Sequence, residues 1–152
     1  MLIALDTSVL VAGALEHHPF HLRAWIWHQA LNRGEMQGMI CGHALAEMYS
    51  VLTKLPNGLS PAEALVVVGT IGSQVSVVGP TTQTYVAAIE RCSSRSLKSG
   101  AVYDALHLVE AERAGADLLL TFNPSDFLRF AEGEKPKVVV PPDPPSLELP
   151  LA

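Results

Sequence analysis

Several residue types are scarce in this 152-residue sequence, and each scarcity excludes a class of protein. There are only two cysteines, Cys41 and Cys92, which excludes a paired-cysteine zinc site and a disulfide scaffold, so we expect reduced thiols. No apolar run approaches the roughly 20 residues of a membrane span, and the N-terminus lacks the basic flank and cleavage site of a secretion signal. These absences predict a cytoplasmic protein without a membrane segment.

Basic and aromatic residues are also few. Ten Lys and Arg stand against fifteen Asp and Glu, which gives a net charge of −5 and excludes a general positive field that would hold nucleic acid. Aromatic residues make up 6%, so any base stacking would depend on one or two rings, with Tyr49 and Tyr103 as candidates. A phosphate-containing ligand would therefore need a local binding device.

The abundant residues predict a single α/β domain. Apolar residues make up 49% and charged residues 16%, which excludes intrinsic disorder, and the length suits one hydrophobic core. Apolar runs alternate with segments of helical periodicity, a pattern typical of a mostly parallel sheet, here of four to five strands, with helices on both faces. We predict one domain over residues 1–140 and a proline-rich, extended tail over residues 141–152.

The predicted element boundaries follow from periodicity and capping residues. Pro19 and Ser99 are expected to begin two of the helices, and Ser60 with Glu63 predicts a capping box. The predicted strands cover residues 2–5, 36–41, 75–78, 117–121 and 137–140, and the helices cover residues 7–15, 19–31, 43–55, 61–71, 82–91 and 101–114.

Three acidic residues lie where the predicted fold would bury them, and burying an unpaired carboxylate costs desolvation free energy. Asp6 ends the first apolar strand, and either caps the following helix or faces a ligand in the crevice beyond the strand ends, near Asn123. Glu47 and Asp104 lie on helix faces that are otherwise apolar, although Glu47 alone could be a surface acid. Three such carboxylates would repel each other if gathered unless a divalent cation neutralised them, and carboxylate oxygens suit Mg²⁺ or Mn²⁺ better than zinc.

Four sequence blocks strengthen this interpretation. They are LDTSVL at residues 5–10, AE at 46–47, DALH at 104–107 and LLTFNPSDF at 119–127. In order and spacing they resemble the PIN domain nucleases, particularly the VapC-like ribonuclease toxins of bacterial and archaeal toxin–antitoxin pairs. The resemblance covers residues 1–140.

The resemblance implies a function and a set of site residues. It implies metal ligands at Asp6, Glu47 and Asp104, with Thr7 or Ser8 orienting Asp6 through a hydroxyl hydrogen bond. It further implies a metal-dependent endoribonuclease that forms a homodimer and is inhibited by a small antitoxin. The cation would activate water for attack on an RNA phosphodiester bond without a protein nucleophile.

The fourth site position is open. Where this family often has an acid, the sequence has Asn123, whose amide oxygen is an uncharged and weaker ligand. Asp126 either reaches the site through a water molecule or caps a short helix around residues 127–130. We assign Asn123 to the catalytic set and keep Asp126 as an alternative metal ligand.

Histidine and basic clusters have more than one interpretation. His17, His18, His21 and His28 could suggest zinc, but they lack a nearby Cys or an embedded acid, which favours a polar helix face near the surface. His107 is expected to pack or hydrogen-bond beside the site. The polar segment at residues 93–100 is expected to form a loop that either contacts RNA backbone or is simply solvated. The basic residues of this region are Arg91, Arg95 and Lys98.

Two other functions compete with the nuclease. A haloacid-dehalogenase-like phosphatase would need a second acid two residues after Asp6, where the sequence has Ser8. A non-enzymatic RNA-binding or regulatory module with a degenerate site is the stronger alternative, because Asn123 replaces an acid and the net charge disfavours RNA. The run at residues 65–68 predicts either a subunit or antitoxin interface or core packing.

Overall fold

The computed structural model describes residues 1–130 and 132–142, and within them the chain forms five strands and seven helices. The strands are β1 (Leu2–Leu5), β2 (Gln37–Cys41), β3 (Ser76–Val78), β4 (Leu118–Leu120) and β5 (Lys137–Val139). The helices are α1 (Thr7–Ala14), α2 (His21–Asn32), α3 (His43–Lys54), α4 (Pro61–Gln74), α5 (Thr82–Ser94), α6 (Ala101–Arg113) and α7 (Pro124–Leu128).

The strands form one parallel sheet in the order β3-β2-β1-β4-β5. This sheet confirms the predicted α/β class. In the central strand, Ile3 pairs with Gly38 of β2 on one side and with Leu118 of β4 on the other. The chain runs from β1 outward to β2 and β3, then returns across the sheet to β4 on the opposite side of β1. In sheets of this type ligands bind beyond the carboxyl ends of the strands where the strand order reverses, which here is between β1 and β4.

Two apolar cores cover the two faces of the sheet. Ile3 and Leu5 face one core together with Trp27 of α2 and Met48 of α3, whereas Ala4 faces the other. Successive residues of a strand point to opposite faces, so a strand buried on both sides is apolar throughout. The second core is built mainly from α5, α6 and α7.

Helix starts are set by the residues that the sequence marks. Ser60 and Glu63 form a reciprocal capping box at the start of α4, with Pro61 in its first turn, as predicted. Thr81 caps α5 in the same way. The Thr84 hydroxyl accepts a hydrogen bond from the Thr81 amide, as the Glu63 carboxylate does from the Ser60 amide in α4.

Two predicted helix starts are wrong. Pro19 lies in a turn closed by the His21 amide, which donates to the His18 carbonyl at 2.9 Å, so α2 begins at His21. Proline suits the second position of such a turn as well as it suits the first turn of a helix. Ser99 has a left-handed φ of 55°, which an N-cap does not adopt, and Gly100 is the N-cap of α6 instead.

Several further expectations concern exposure. Cys41 and Cys92 are free and buried, and burial raises the pKa of the Cys41 thiol to about 11. In the apolar run of α4, Leu65 and Val66 are exposed. Among residues 1–130 and 132–142 we find no helix with the length and apolarity that crossing a bilayer requires. The predicted tail lies outside the described residues from residue 143 onward.

Candidate active site

A cleft of about 740 Å³ opens where β1 and β4 end. Asp6 follows β1 directly, and Asn123 follows β4. Glu47 and Asp104 reach the same cleft from the helices α3 and α6. The topology therefore brings three carboxylates and one amide, from four separate segments of the chain, to one opening.

Hydroxyl groups from both strand ends fix Asp6. Its Oδ2 accepts hydrogen bonds from Ser8 Oγ at 2.5 Å and Thr121 Oγ1 at 2.8 Å, and from the Ser8 amide at 3.3 Å. The Ser8 amide bond makes Asp6 the N-cap of α1, so the capping and ligand-facing interpretations hold for the same side chain. Ser8 Oγ also accepts from the Phe122 amide at 3.0 Å, which ties the ends of β1 and β4 together.

Glu47 is held by Thr7 and His107. Thr7 Oγ1 donates to Glu47 Oε2 at 2.7 Å, so Thr7 orients Glu47 whereas Ser8 orients Asp6. His107 Nε2 lies 2.8 Å from the same oxygen, an ion-pair distance with poor hydrogen-bond alignment, and His43 Nε2 lies 3.8 Å from Oε1. Burial works to raise the pKa of Glu47, but these partners outweigh it and the pKa is lowered. Burial likewise opposes a charged His107, yet the carboxylate of Glu47 leaves its pKa raised.

Asp104 has the most perturbed carboxyl group of the cleft. Burial, followed by the charges of Asp126 and Asp6, raises its pKa to about 6, against the opposing effect of Arg129. The Arg129 guanidinium donates to Asp104 Oδ2 at 3.0 Å and lies 3.7 Å from Asp126. Arg129 thus neutralises only part of the negative charge around Asp104.

Asn123 lines the cleft, whereas Asp126 does not. Asn123 is the N-cap residue of α7, and its backbone N–H donates to Thr121 Oγ1 at 2.9 Å. Asp126 stands inside the first turn of α7, so the alternative that it caps a helix at residues 127–130 is wrong. The helix begins three residues earlier because Pro124 occupies its first turn.

The carboxylates share the cleft without forming a closed ligand set. Within the part of the chain that the structure describes, no three His, Cys, Asp or Glu side chains are close enough together to surround one ion. Glu47 forms an ion pair with His107, and Asp104 forms one with Arg129. The donor chemistry suits a hard divalent cation, and two of the three carboxylates are engaged in ion pairs in this structure.

The basic residues predicted to contact RNA do not line this cleft. Arg91 makes a two-point contact with Glu112 at 2.8 and 2.9 Å, and Arg95 pairs with Glu132 at 2.8 Å. Lys98 is exposed in the loop between α5 and α6. Of the two tyrosines singled out from the sequence, Tyr103 lines the cleft and Tyr49 is exposed outside it.

The clustered histidines of the α2 region have separate roles. His18 Nδ1 accepts from the Phe20 amide, and His21 Nδ1 is 3.0 Å from the Ala12 carbonyl. His28 is buried, contrary to the expected surface position, because it packs against Gly13, where an added Cβ would lie 2.5 Å from its Nε2.

Sequence reasoning missed three residues near the carboxylates. Thr121 is the polar end of an apolar strand beside β1, which is the signal that could have identified it. His43 precedes Glu47 by one helical turn, a spacing that places the two on one face. Arg129 has only its distance of three residues from Asp126 as a local signal.

The sequence matches the PIN domain family over residues 3–133, and the chain belongs to that family. It is 39% identical to Ribonuclease VapC40 of Mycobacterium tuberculosis in an alignment of 127 positions that covers 78% of this chain and 84% of that protein. It is 30% identical to Ribonuclease VapC27 of the same organism in an alignment of 118 positions that covers 76% of this chain and 81% of the relative.

Solved structures with the same fold agree with this assignment. The M. tuberculosis toxin VapC20, which cleaves the sarcin-ricin loop, aligns with a TM-score of 0.69 at 20% identity over 87% of this chain and 97% of its own. VapBC2 from Rickettsia felis, bound to a DNA fragment from its promoter, aligns with a TM-score of 0.65 at 16% identity over 92% and 98% of the two chains. At these identities the likeness establishes the fold alone.

Proposed function

We propose that this protein is an endoribonuclease of the VapC type that depends on Mg²⁺ or Mn²⁺, with residues 1–140 as its nuclease unit. The observation that carries the proposal is the convergence of Asp6, Glu47 and Asp104 on one cleft, at the point between β1 and β4 where the strand order reverses. The family match and the two VapC ribonuclease relatives support the RNA-cleaving activity.

The carboxylates of the cleft fit a divalent cation by their chemistry. Three acids and one amide supply the oxygen ligands that Mg²⁺ and Mn²⁺ prefer. Acidic neighbours contribute to the raised pKa of Asp104, so a cation at this place relieves repulsion that Arg129 relieves only in part. We assign Asp6, Glu47 and Asp104 as ligands, Asn123 as the fourth cleft residue, and Asp126 as an outer acid.

The chain's own residues prepare this site. Ser8 and Thr121 lock Asp6 Oδ2, which leaves Oδ1 without a hydrogen bond from the described residues. Thr7 and His107 hold Glu47 ionised, since together they keep its pKa low despite burial. A bound cation supplies Lewis-acid activation of water and neutralises phosphate charge.

Cleavage of labelled RNA by the purified chain tests the proposal. With Mg²⁺ or Mn²⁺ the wild-type protein should cut RNA, EDTA should stop the reaction, and Asp104→Asn should lose activity. Asp117→Asn is the matched control, because Asp117 bonds the Leu2 amide and Lys135 and does not line the cleft. Undiminished cleavage by Asp104→Asn, or cleavage in EDTA, would contradict the assigned site.

We further propose a small antitoxin as a protein partner and a homodimer as the assembly. The fold shared with VapBC2 of R. felis supports a partner of this kind. Exposed Leu65 and Val66 on α4 offer an apolar surface for one of these contacts. Measuring the molar mass in solution by light scattering tests the dimer.

A further inference from the structure

Two pairs of stacked rings line the same cleft as the carboxylates. Phe20 and Phe122 stack with ring centroids 4.6 Å apart and an interplanar angle of 24°. His43 and Tyr103 stack at 4.8 Å and 14°. All four residues line the cleft. The sequence contains four Phe, three Tyr and two Trp, so Phe20, Phe122 and Tyr103 place a third of these aromatic residues at the cleft.

Each ring pair lies close to different carboxylates of the cleft. The Phe122 amide donates to Ser8 Oγ, which in turn donates to Asp6. His43 Nε2 lies 3.8 Å from Glu47 Oε1, and Tyr103 immediately precedes Asp104. Both ring pairs therefore lie beside the carboxylates at which the proposed reaction occurs.

The outer ring of each pair is exposed. Phe20 is 39% exposed and Tyr103 is 47% exposed, while the partner ring supports one side of each. Such a ring is held in orientation before a ligand arrives, so little conformational entropy is lost on binding. The Arg23 guanidinium lies 5.2 Å from the Phe20 centroid and 5.4 Å from that of Phe122, which places a positive charge beside this pair.

We propose that these ring pairs are base-stacking platforms that hold the bases of single-stranded RNA at the cleft. The inference rests on the proposed function and adds to it the residues that would hold the bases of the RNA. Bases in a duplex already stack on their neighbours, whereas an unpaired base offers a free face to a protein ring. Stacking also supplies affinity that does not depend on positive charge, which is useful in a cleft lined by three carboxylates.

Binding of a short RNA separates ring contacts from chemistry. The probe is a fluorescein-labelled single-stranded RNA of about 12 nucleotides with hydrolysis-resistant phosphorothioate linkages, compared with the same strand lacking its bases. Anisotropy in Mg²⁺ should show about 5- to 150-fold weaker binding for Phe20→Ala and for Tyr103→Ala. Tyr103→Phe keeps the ring and should bind within about twofold of the wild type.

Tyr85→Ala is the matched control, because Tyr85 is 44% exposed on α5 and does not line the cleft. It should leave RNA affinity unchanged. Tyr103→Phe shows that an effect of Tyr103→Ala comes from the lost ring, and thermal unfolding of each variant identifies any that fails to fold. The base-free strand should bind weakly to the wild type and equally weakly to both alanine variants.

The outcomes distinguish this inference from the proposed function. Wild-type affinity in Phe20→Ala and Tyr103→Ala, or the same loss with the base-free strand, overturns the platforms even if the protein cleaves RNA. Ring-dependent binding without cleavage in Mg²⁺ or Mn²⁺ supports the platforms and refutes the nuclease. Ring-dependent binding that is as strong for a duplex of the same sequence overturns the preference for unpaired bases.

Discussion

Replacing Asp104 by Asn should stabilise the metal-free protein at neutral pH while abolishing RNA cleavage. Asp104 has a pKa near 6 because burial and the charges of Asp126 and Asp6 disfavour its ionised form. Asn has almost the same volume and carries no charge. The substitution therefore removes the repulsion, at the cost of the ion pair with Arg129, whose effect is already contained in that pKa.

The magnitude follows from the shift in the Asp104 pKa. A rise from 3.8 to about 6 corresponds to at most about 3 kcal/mol of destabilisation of the ionised native state, at 1.36 kcal/mol per pKa unit. The side chain is 31% exposed, so solvent screening reduces this to on the order of 1 to 2 kcal/mol. For a chain of this length the change corresponds to about 2 to 8 °C in Tm.

The pH dependence has a definite sign. The folded state binds the Asp104 proton more tightly than the unfolded state, so wild-type stability falls as pH rises from about 4 to about 6 and this contribution is constant above that range. The gain of Asp104→Asn over wild type should therefore be full at pH 7 to 8 and vanish near pH 4. Thermal unfolding in EDTA across this pH range measures it.

Asp117→Asn provides a control of opposite sign. The close contact with Lys135 and the hydrogen bond from the Leu2 amide lower the pKa of Asp117, so its ionised form stabilises the fold. Asp117→Asn should lower Tm at pH 7 and approach the wild type at low pH. If Asp104→Asn also lowered Tm at pH 7 in EDTA, the carboxylate would be a structural partner of Arg129, and the crowding argument would be refuted.

Three further predictions concern the cation. Mn²⁺ at 100 times its Kd should raise the stability of the wild-type protein by about 2.7 kcal/mol in thermal unfolding, and an unchanged Tm together with no heat in calorimetry would exclude binding. Asn123→Asp should tighten Mn²⁺ binding, since it adds a charged ligand oxygen at equal size; an equal or larger Kd would place Asn123 outside the ligand set and favour Asp126. Arg129→Gln should also tighten Mn²⁺ binding, because Arg129 occupies Asp104 Oδ2, whereas the control Arg113→Gln should not; a weaker affinity would make Arg129 a support of the site.

The fold could be predicted from the sequence because its determinants are local. Ser60, Pro61 and Glu63 lie within four consecutive residues and specify the start of α4 by themselves. The apolar runs around Ile3 and Leu119 are buried on both faces, which is typical of the central strands of a parallel sheet. The wrong starts at Pro19 and Ser99 show the limit, since proline suits a turn as well as a helix and a serine side chain does not specify its own φ.

The partners of the carboxylates could not be predicted in the same way. Thr7 bonds Glu47 across 40 residues, and Arg129 bonds Asp104 across 25. Sequence spacing carries no information on such contacts, because they depend on how α3, α6 and α7 pack around the strand ends. The acids themselves could be identified, since a charge on an apolar face is conspicuous in the sequence, whereas Thr121 and Arg129 are ordinary residues until the fold brings them to the cleft.

The charge distribution around the cleft leads to a final prediction about how RNA binds. Arg91 and Arg95 are paired with Glu112 and Glu132, and Arg129 is paired with Asp104, so these cations contribute little free positive charge for a phosphate. We therefore expect RNA affinity to come mainly from a divalent cation and from contacts to the bases. For single strands the slope of log K against log salt is about −0.7 for each phosphate neutralised by Lys or Arg. We therefore expect a shallow dependence on NaCl at fixed Mg²⁺ and a steep dependence on Mg²⁺ itself, measured by anisotropy with the phosphorothioate RNA. A steep NaCl dependence with no requirement for Mg²⁺ would instead mean that RNA lies on a basic surface outside the cleft.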